Sequence, residues 1–126
     1  MLGSKKGRLA ANGSDKIETL IGQHVVIQGD LQFSGGLYIE GKVLGKVIAD
    51  EGADSLLTLA PGGYIEGSIR APHVIISGRL LGDLHSNQRV ELTETGQIEG
   101  NIHYRLLEIT AGATVSGQLI HEHISA

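Results

Sequence analysis

The sequence predicts an all-β, single-domain parallel β-helix, also called a β-solenoid, of about six coils with three short strands in each coil. Three observations predict this fold: a period-two alternation of apolar residues, a short internal repeat that ends in glycine, and an unusual composition. The 126 residues include 19 glycines but only four aromatic residues, Phe33, Tyr38, Tyr64 and Tyr104. Val, Ile and Leu must therefore build the core, and the chain is long enough for one domain.

The repeat is clearest in two segments of equal length. Residues 37–47 read LYIEGKVLGKV and residues 74–84 read VIISGRLLGDL, with an apolar residue or glycine at every second position. Three further copies are two residues longer, and a partial first copy precedes them: 57–69, 90–102, 107–119 and 27–31. An insertion of two residues keeps the apolar side chains on the inner face, whereas an insertion of one would turn them outward.

Each copy ends in apolar-x-Gly-x-apolar, and we interpret its glycine as a coil corner. These coil-corner glycines are Gly29, Gly45, Gly67, Gly82, Gly100 and Gly117. Their spacing ranges from 15 to 22 residues, and the longest interval contains Asp50-Glu51-Gly52-Ala53-Asp54, which we interpret as a surface loop. An inward Cβ has no room at a narrow corner, and such a corner favours a positive φ. At ~4.8 Å per coil, six coils form a rod of roughly 25–30 Å.

The charge is divided between a basic start and an acidic body. Residues 1–16 carry a net charge of +3, and the remainder carries 6 basic and 13 acidic residues. We therefore expect a disordered basic N-terminal tail over 1–16, a β-helix polymerisation domain over 17–121 and a short C-terminal tail over 122–126. The overall charge of −4 and the lack of aromatic platforms argue against a nucleic-acid partner.

Several function classes are excluded by what the sequence lacks. Without cysteine there is no disulfide scaffold, zinc-thiolate site or cysteine nucleophile. No apolar run reaches the ~20 residues of a membrane span, and no secretory signal is present. A cytoplasmic protein is the default expectation.

At this point the sequence resembles the bactofilins, which are polymer-forming bacterial cytoskeletal proteins. Residues 16–22 (KIETLIG) and 26–31 (VIQGDL) are similar to the start of the family's domain, and 37–47 resembles its second coil. The resemblance covers about residues 16–120. It implies a right-handed β-helix, nucleotide-free filaments formed by end-to-end stacking, and an N-terminal tail that binds the cytoplasmic face of the inner membrane. It also implies scaffold roles in cell shape, motility or the placement of cell-wall enzymes as clients, and it favours nonpolar filaments.

Two departures from the family pattern stand out. Many members carry an aromatic residue before the final glycine of the last coil, whereas this chain has Val115 there. The long Pro-rich C-terminal tail of many members is also missing, so the partner-binding functions of such tails are not expected here.

We predict that the two ends of the solenoid form the polymer interface. A solenoid end exposes unpaired backbone groups and the cross-section of the core, and no capping helix is predicted at either end. The residues that we expect to carry this contact belong to the first and last coils: Val25, Ile27, Leu31, Phe33, Leu107, Ile109, Val115 and Leu119. Short flanking segments that fold over the ends are the alternative.

The first nine residues, MLGSKKGRL, predict a membrane-binding segment for anionic lipids. The segment places apolar side chains beside basic ones: Met1, Leu2, Lys5, Lys6, Arg8 and Leu9. Each basic residue contributes about 1 kcal/mol near an anionic surface, and a filament multiplies a weak anchor. A solvated, inert tail is the alternative.

No catalytic, cofactor or metal site is predicted. His85 and His103 each follow a Gly-x-apolar step, so they should stack on the outer face of adjacent coils, where the other coils have Gln32, Ile48, Arg70 and Ile120. His121 and His123 lie near the terminus, where we expect only adventitious chelation. Glu40, Glu66 and Glu99 precede glycines on outward positions, and no P-loop, Rossmann or Ser-His-Asp pattern is present.

Two other function classes remain open at this stage. A left-handed hexapeptide β-helix enzyme, of the acyltransferase or carbonic anhydrase class, also has coils of 18 residues. Such enzymes need a strict six-residue beat, and the uneven spacing argues against it. An isolated adaptor module at the membrane is the third hypothesis.

Overall fold

The computed structural model describes residues 17–122 of the chain, and within this range it contains strands and no helix. Each coil consists of three strands. Coil 1 is β1 (Ile17–Ile21), β2 (Val26–Gln28) and β3 (Leu31–Phe33); coil 2 is β4 (Gly36–Ile39), β5 (Lys42–Leu44) and β6 (Val47–Ala49); coil 3 is β7 (Leu56–Leu59), β8 (Tyr64–Glu66) and β9 (Ile69–Arg70); coil 4 is β10 (His73–Ile76), β11 (Arg79–Leu81) and β12 (Leu84–His85); coil 5 is β13 (Arg89–Leu92), β14 (Gln97–Glu99) and β15 (Ile102–Tyr104); coil 6 is β16 (Leu106–Ile109), β17 (Thr114–Ser116) and β18 (Leu119–His121).

The coils stack so that equivalent strands form three parallel six-stranded sheets. Sheet A has the order β1-β4-β7-β10-β13-β16, sheet B contains β2, β5, β8, β11, β14 and β17, and sheet C contains β3, β6, β9, β12, β15 and β18. Successive strands of the chain therefore pass from sheet A to B to C, and then return to A one coil further along. The predicted all-β solenoid of six coils with three short strands each is confirmed.

The core is built from columns of apolar residues that occupy the same position in successive coils. In sheet B the register joins Val43, Ile65, Leu80 and Ile98, and each is at most 1% exposed. Equivalent columns in sheets A and C contain Leu57, Val74 and Val90, and Val47, Ile69 and Leu84. Alternation along each strand directs these side chains inward, and stacking removes them from water.

The six predicted coil-corner glycines lie at the corner between sheets B and C. All have a positive φ, between 129° and 158°. We expected an added Cβ to clash inside its own coil, whereas the structure shows that it would clash with the backbone of the preceding coil. A Cβ on Gly67 would overlap the carbonyl group of Gly45 in the preceding coil, and one on Gly82 would overlap that of Gly67. At the five corners after Gly29, glycine is required because the backbone of each coil rests directly on the backbone of the preceding coil.

The predicted surface loop is confirmed at the corner between sheets C and A. Residues 50–55 separate β6 from β7, whereas only two residues separate β9 from β10, at the same corner one coil further along. Asp50, Glu51, Gly52 and Asp54 are half-buried or exposed, so the insertion is placed on the surface without disturbing the columns of the core. Insertions in repeat proteins commonly map to such corners.

Candidate functional site

The C-terminal end of the rod exposes the cross-section of the core. Val115 and Leu119 continue the columns of Ile98 and Ile102, which are 1% and 0% exposed. In coil 6 no further coil covers these positions, so Leu119 is 46% exposed and Val115 is half-buried. Ile109, which continues the column of the fully buried Leu92, is 45% exposed for the same reason.

The N-terminal end of the described chain is open in the same way. Ile27 and Leu31 are half-buried, although Val43 and Val47, which follow them in their columns, are 0% exposed. Val25 is 44% exposed at the corner between sheets A and B. Both ends therefore combine apolar surface with an unpaired strand edge, and this combination favours association with another β-edge.

The structure places the eight residues of the predicted polymer interface at these two ends, with different exposures. Val25, Ile109 and Leu119 are exposed, and Ile27, Leu31, Leu107 and Val115 are half-buried. Phe33 is buried in the core cluster and offers little surface to a partner. Sequence reasoning missed four exposed apolar side chains of the terminal coils: Ile17, Leu20, Val26 and Leu106. An apolar residue at a position that the alternation directs outward is the signal that could have identified them.

The outer face of sheet C carries the predicted histidine ladder. His85 pairs in register with His103, and their ring centroids are 4.3 Å apart with an angle of 14° between the ring planes. Arg70 precedes His85 in the same column, and Ile120 follows His103. Glu122 Oε2 lies 2.9 Å from His103 Nδ1 and so connects coil 6 to coil 5. The predicted stacking on adjacent coils is confirmed.

Within residues 17–122, no group of three or more His, Cys, Asp or Glu side chains could hold a metal ion. His123 lies outside the described residues, and the ring of His121 contacts that of Tyr104 at 5.5 Å. The three outward carboxylates noted in the sequence, Glu40, Glu66 and Glu99, belong to coils 2, 3 and 5. Glu66 accepts a hydrogen bond from Tyr64, and Glu99 accepts one from Arg79 at 2.8 Å. Both carboxylates therefore serve as hydrogen-bond acceptors on the surface.

Protonation of His85 should destabilise the rod. Burial, followed by the charges of His103 and Arg70, lowers the pKa of His85 below its ordinary value of 6.5, while Asp83 and Glu122 act in the opposite direction. The unfolded chain then binds the proton more readily, so the free energy of unfolding falls as the pH drops below about 6.5 and levels off below the folded-state pKa. We expect a lower midpoint of guanidinium unfolding near about pH 5.5 than at about pH 7.5.

The variant His85→Gln should reduce this pH dependence, because it removes the group that resists protonation in the fold. His24→Gln is the matched control, since His24 is exposed in coil 1 and lies outside the ladder. The same pH dependence in the wild-type chain and in His85→Gln would contradict the assignment.

The structure has no helix among residues 17–122 that is long and apolar enough to cross a membrane. The predicted membrane-binding segment, residues 1–9, lies outside the described residues, as do the other residues of the expected tail up to Lys16.

Comparison with known proteins gives a consistent family assignment. Residues 19–120 match the model of the family described as "Bactofilin: Polymer-forming cytoskeletal". The chain is similar to bactofilin BacO of Myxococcus xanthus (strain DK1622), with 31% identity over 101 residues that cover 80% of this chain and 77% of BacO. It is also similar to bactofilin BacP of the same organism, with 27% identity over 101 residues.

The match to BacP covers 80% of this chain but spans only 40% of the length of BacP. No solved protein structure shows a significant similarity to the chain. The family match begins within β1 and ends within β18, so it reaches both the first and the last coil of the rod. A stacked β-solenoid whose two ends are uncovered within residues 17–122 is consistent with a family that forms polymers, and it gives no support to the hexapeptide enzyme hypothesis. This chain belongs to the bactofilin family of polymer-forming cytoskeletal proteins.

Proposed function

We propose that the chain is a bacterial cytoskeletal scaffold that polymerises without nucleotide, by end-to-end stacking of its solenoids. The observation that supports this proposal is the exposure of the core columns at both ends. Side chains that are 0–1% exposed in coil 5 have equivalents in coil 6 that are partly open to water. Stacking would bury this apolar surface and pair the free strand edges, and neither step needs a bound nucleotide.

We also propose that like ends meet, which makes the filament nonpolar. The position before β2 is Val25 in coil 1, whereas the equivalent residues in coils 2 to 5 are glycines: Gly41, Gly63, Gly78 and Gly96. A Cβ on Gly78 would lie 2.5 Å from the carbonyl oxygens of Ala60 and Gly63 in the preceding coil. The last coil has the small Ala113 here. In a head-to-tail contact, the branched side chain of Val25 would pack against coil 6 of the next subunit. At the contacts between interior coils, the equivalent position is a glycine and carries no side chain.

Electron microscopy of the purified chain tests polymerisation directly. We expect filaments by negative stain in a buffer that contains EDTA and no nucleotide, and an unchanged pelleted fraction when ATP or GTP is added. Filaments that form only with nucleotide would contradict the proposed mechanism. The right-handed winding and the division into 1–16, 17–121 and 122–126 remain predictions.

We further propose that residues 1–9 hold the filament on the cytoplasmic face of the inner membrane, where it could position cell-wall enzymes or other clients. The support lies in the charge, since the described body is acidic while Lys5, Lys6 and Arg8 are clustered beside Met1 and Leu2. Many copies on one filament would add avidity to a weak anchor.

Deletion of residues 1–9 should abolish co-sedimentation of filaments with anionic liposomes while preserving filaments. Lys5→Glu with Lys6→Glu should weaken recruitment by reversing the electrostatic attraction, and Leu2→Ser should weaken it by removing apolar contact. Salt should reduce only the electrostatic part, since exposed charges are screened beyond ~8–10 Å. The control is Lys46→Glu with Arg105→Glu, which makes the same change in charge at two exposed positions of the rod. Equal pelleting of the deleted and full chains, corrected for pelleting without lipid, would assign any membrane contact to the rod.

A further inference from the structure

A groove runs along the corner between sheets C and A, beneath the loop of residues 50–54. Its floor is the outer ladder of sheet C, with Arg70, His85 and His103 in successive coils. Residues 50–54 of the loop also line the groove, together with Asn87, Gln88 and Glu122. The groove therefore lies where the longest insertion interrupts the repeat, on a face that the stacking ends do not use.

The groove is acidic. Four carboxylates line it, Asp50, Glu51, Asp54 and Glu122, against the one guanidinium of Arg70. Three of the carboxylates have a partner other than Lys or Arg: Asp50 accepts from Gln32 at 2.7 Å, Asp54 lies 2.9 Å from His73, and Glu122 lies 2.9 Å from His103. These contacts fix the positions of the carboxylates. Among residues 17–122, neither Glu51 nor Arg70 takes part in an ion pair.

The register of sheet A places the beginning of the described chain at the same corner. Ile17 pairs with Gly36, and Gly36 pairs with Leu56, which directly follows the loop. Ile17, the first described residue, therefore lies at the C–A corner, two coils from the loop. Two coil rises are about 10 Å, and the nine residues from Arg8 to Ile17 can span roughly 30 Å.

We propose that the basic N-terminal segment of this chain, residues 1–16, binds in its own acidic groove. The observations that carry this inference are the shared corner, the short distance, and the opposite charges, +3 on the segment and a net of three negative charges in the groove. The contact joins exposed charges, so it is reversible and weakened by salt. It goes beyond the proposed lipid anchor, because it requires no membrane.

A cysteine pair tests the contact, since the chain has no cysteine of its own. Ser4→Cys with Asn87→Cys places one thiol in the basic segment, without removing a charge, and one at the groove. Ser4→Cys with Gln97→Cys is the matched control, because Gln97 is exposed in coil 5 on sheet B, away from the C–A corner. Under mild oxidation without lipid, we expect the Asn87 pair to form an intramolecular disulfide about tenfold faster than the Gln97 pair, and high salt to remove most of the difference.

Charge reversal in the groove provides the second measurement. Glu51→Lys should slow disulfide formation of the Asn87 pair several-fold, whereas Glu94→Lys, an equal change on an exposed corner outside the groove, should leave it unchanged. Equal rates for the two cysteine pairs, or crosslinked dimers in place of crosslinked monomers on a non-reducing gel, would overturn the proposal. Because these measurements contain no lipid, they can fail while liposome binding persists, and the two proposals stay distinguishable.

Discussion

Replacing Gly67 with Val should unfold the solenoid. Gly67 has a φ of 152°, and a Cβ at this position would overlap the carbonyl group of Gly45. A strained backbone costs about 1–3 kcal/mol, and displacing the backbone of a stacked coil adds to it. The total approaches the ~5–15 kcal/mol stability of an ordinary domain. We expect circular dichroism to show the loss of most β-structure, or a melting temperature lowered by tens of degrees, for Gly67→Val and likewise for Gly100→Val.

Two other glycines separate the causes of this effect. Gly29 has a positive φ of 129° but nothing within 4 Å of an added Cβ, so Gly29→Val should report backbone strain alone and destabilise less. Gly22 has no positive φ and open space around an added Cβ, so Gly22→Ala should be nearly neutral. Unchanged melting temperatures for both Gly67→Val and Gly100→Val would refute the stacked-corner explanation.

Placing a charge at Val115 should abolish filaments while the chain stays folded. Val115 is half-buried in the last coil, so Arg can reach water in the free subunit but not in a stacked end. Burying an unpaired charge costs several kcal/mol, whereas fully burying one Val, Leu or Ile side chain contributes ~1.5–3 kcal/mol, and these residues are already partly covered. One charge is therefore sufficient to prevent stacking. Sedimentation should show no polymer, with a normal circular dichroism spectrum.

The size of the residual species reports filament polarity. If like ends meet, Val115→Arg blocks only the C-terminal contact and leaves dimers joined through coil 1; head-to-tail stacking would leave monomers. Ser116→Arg is the control, because Ser116 is exposed on the outer face of the same strand and its substitution should leave filaments intact. Ordinary filaments from Val115→Arg would show that the C-terminal end is not the contact.

Much of this architecture could be predicted from local sequence, because a solenoid repeats one short-range rule. Alternation in 37–47 and 74–84 is enough to assign inward and outward side chains, and two-residue insertions preserve that assignment. The same regularity predicts that His85 lies next to His103, since equivalent positions in successive coils must be neighbours. The alternation of inward and outward positions along the chain therefore predicts which residues are neighbours in adjacent coils.

The tertiary structure alone decided features that depend on how coils rest on one another. The direction in which the Gly67 Cβ would point follows from backbone stacking along the rod, which periodicity does not contain. Phe33 and Leu119 both belong to terminal coils with one neighbouring coil each, yet Phe33 is buried in the core cluster and Leu119 is 46% exposed, a difference that the alternation of the sequence does not contain. The acidic groove likewise arises only in three dimensions: winding brings the loop of 50–54, Arg70 and Glu122 to one corner, although they are far apart in the chain.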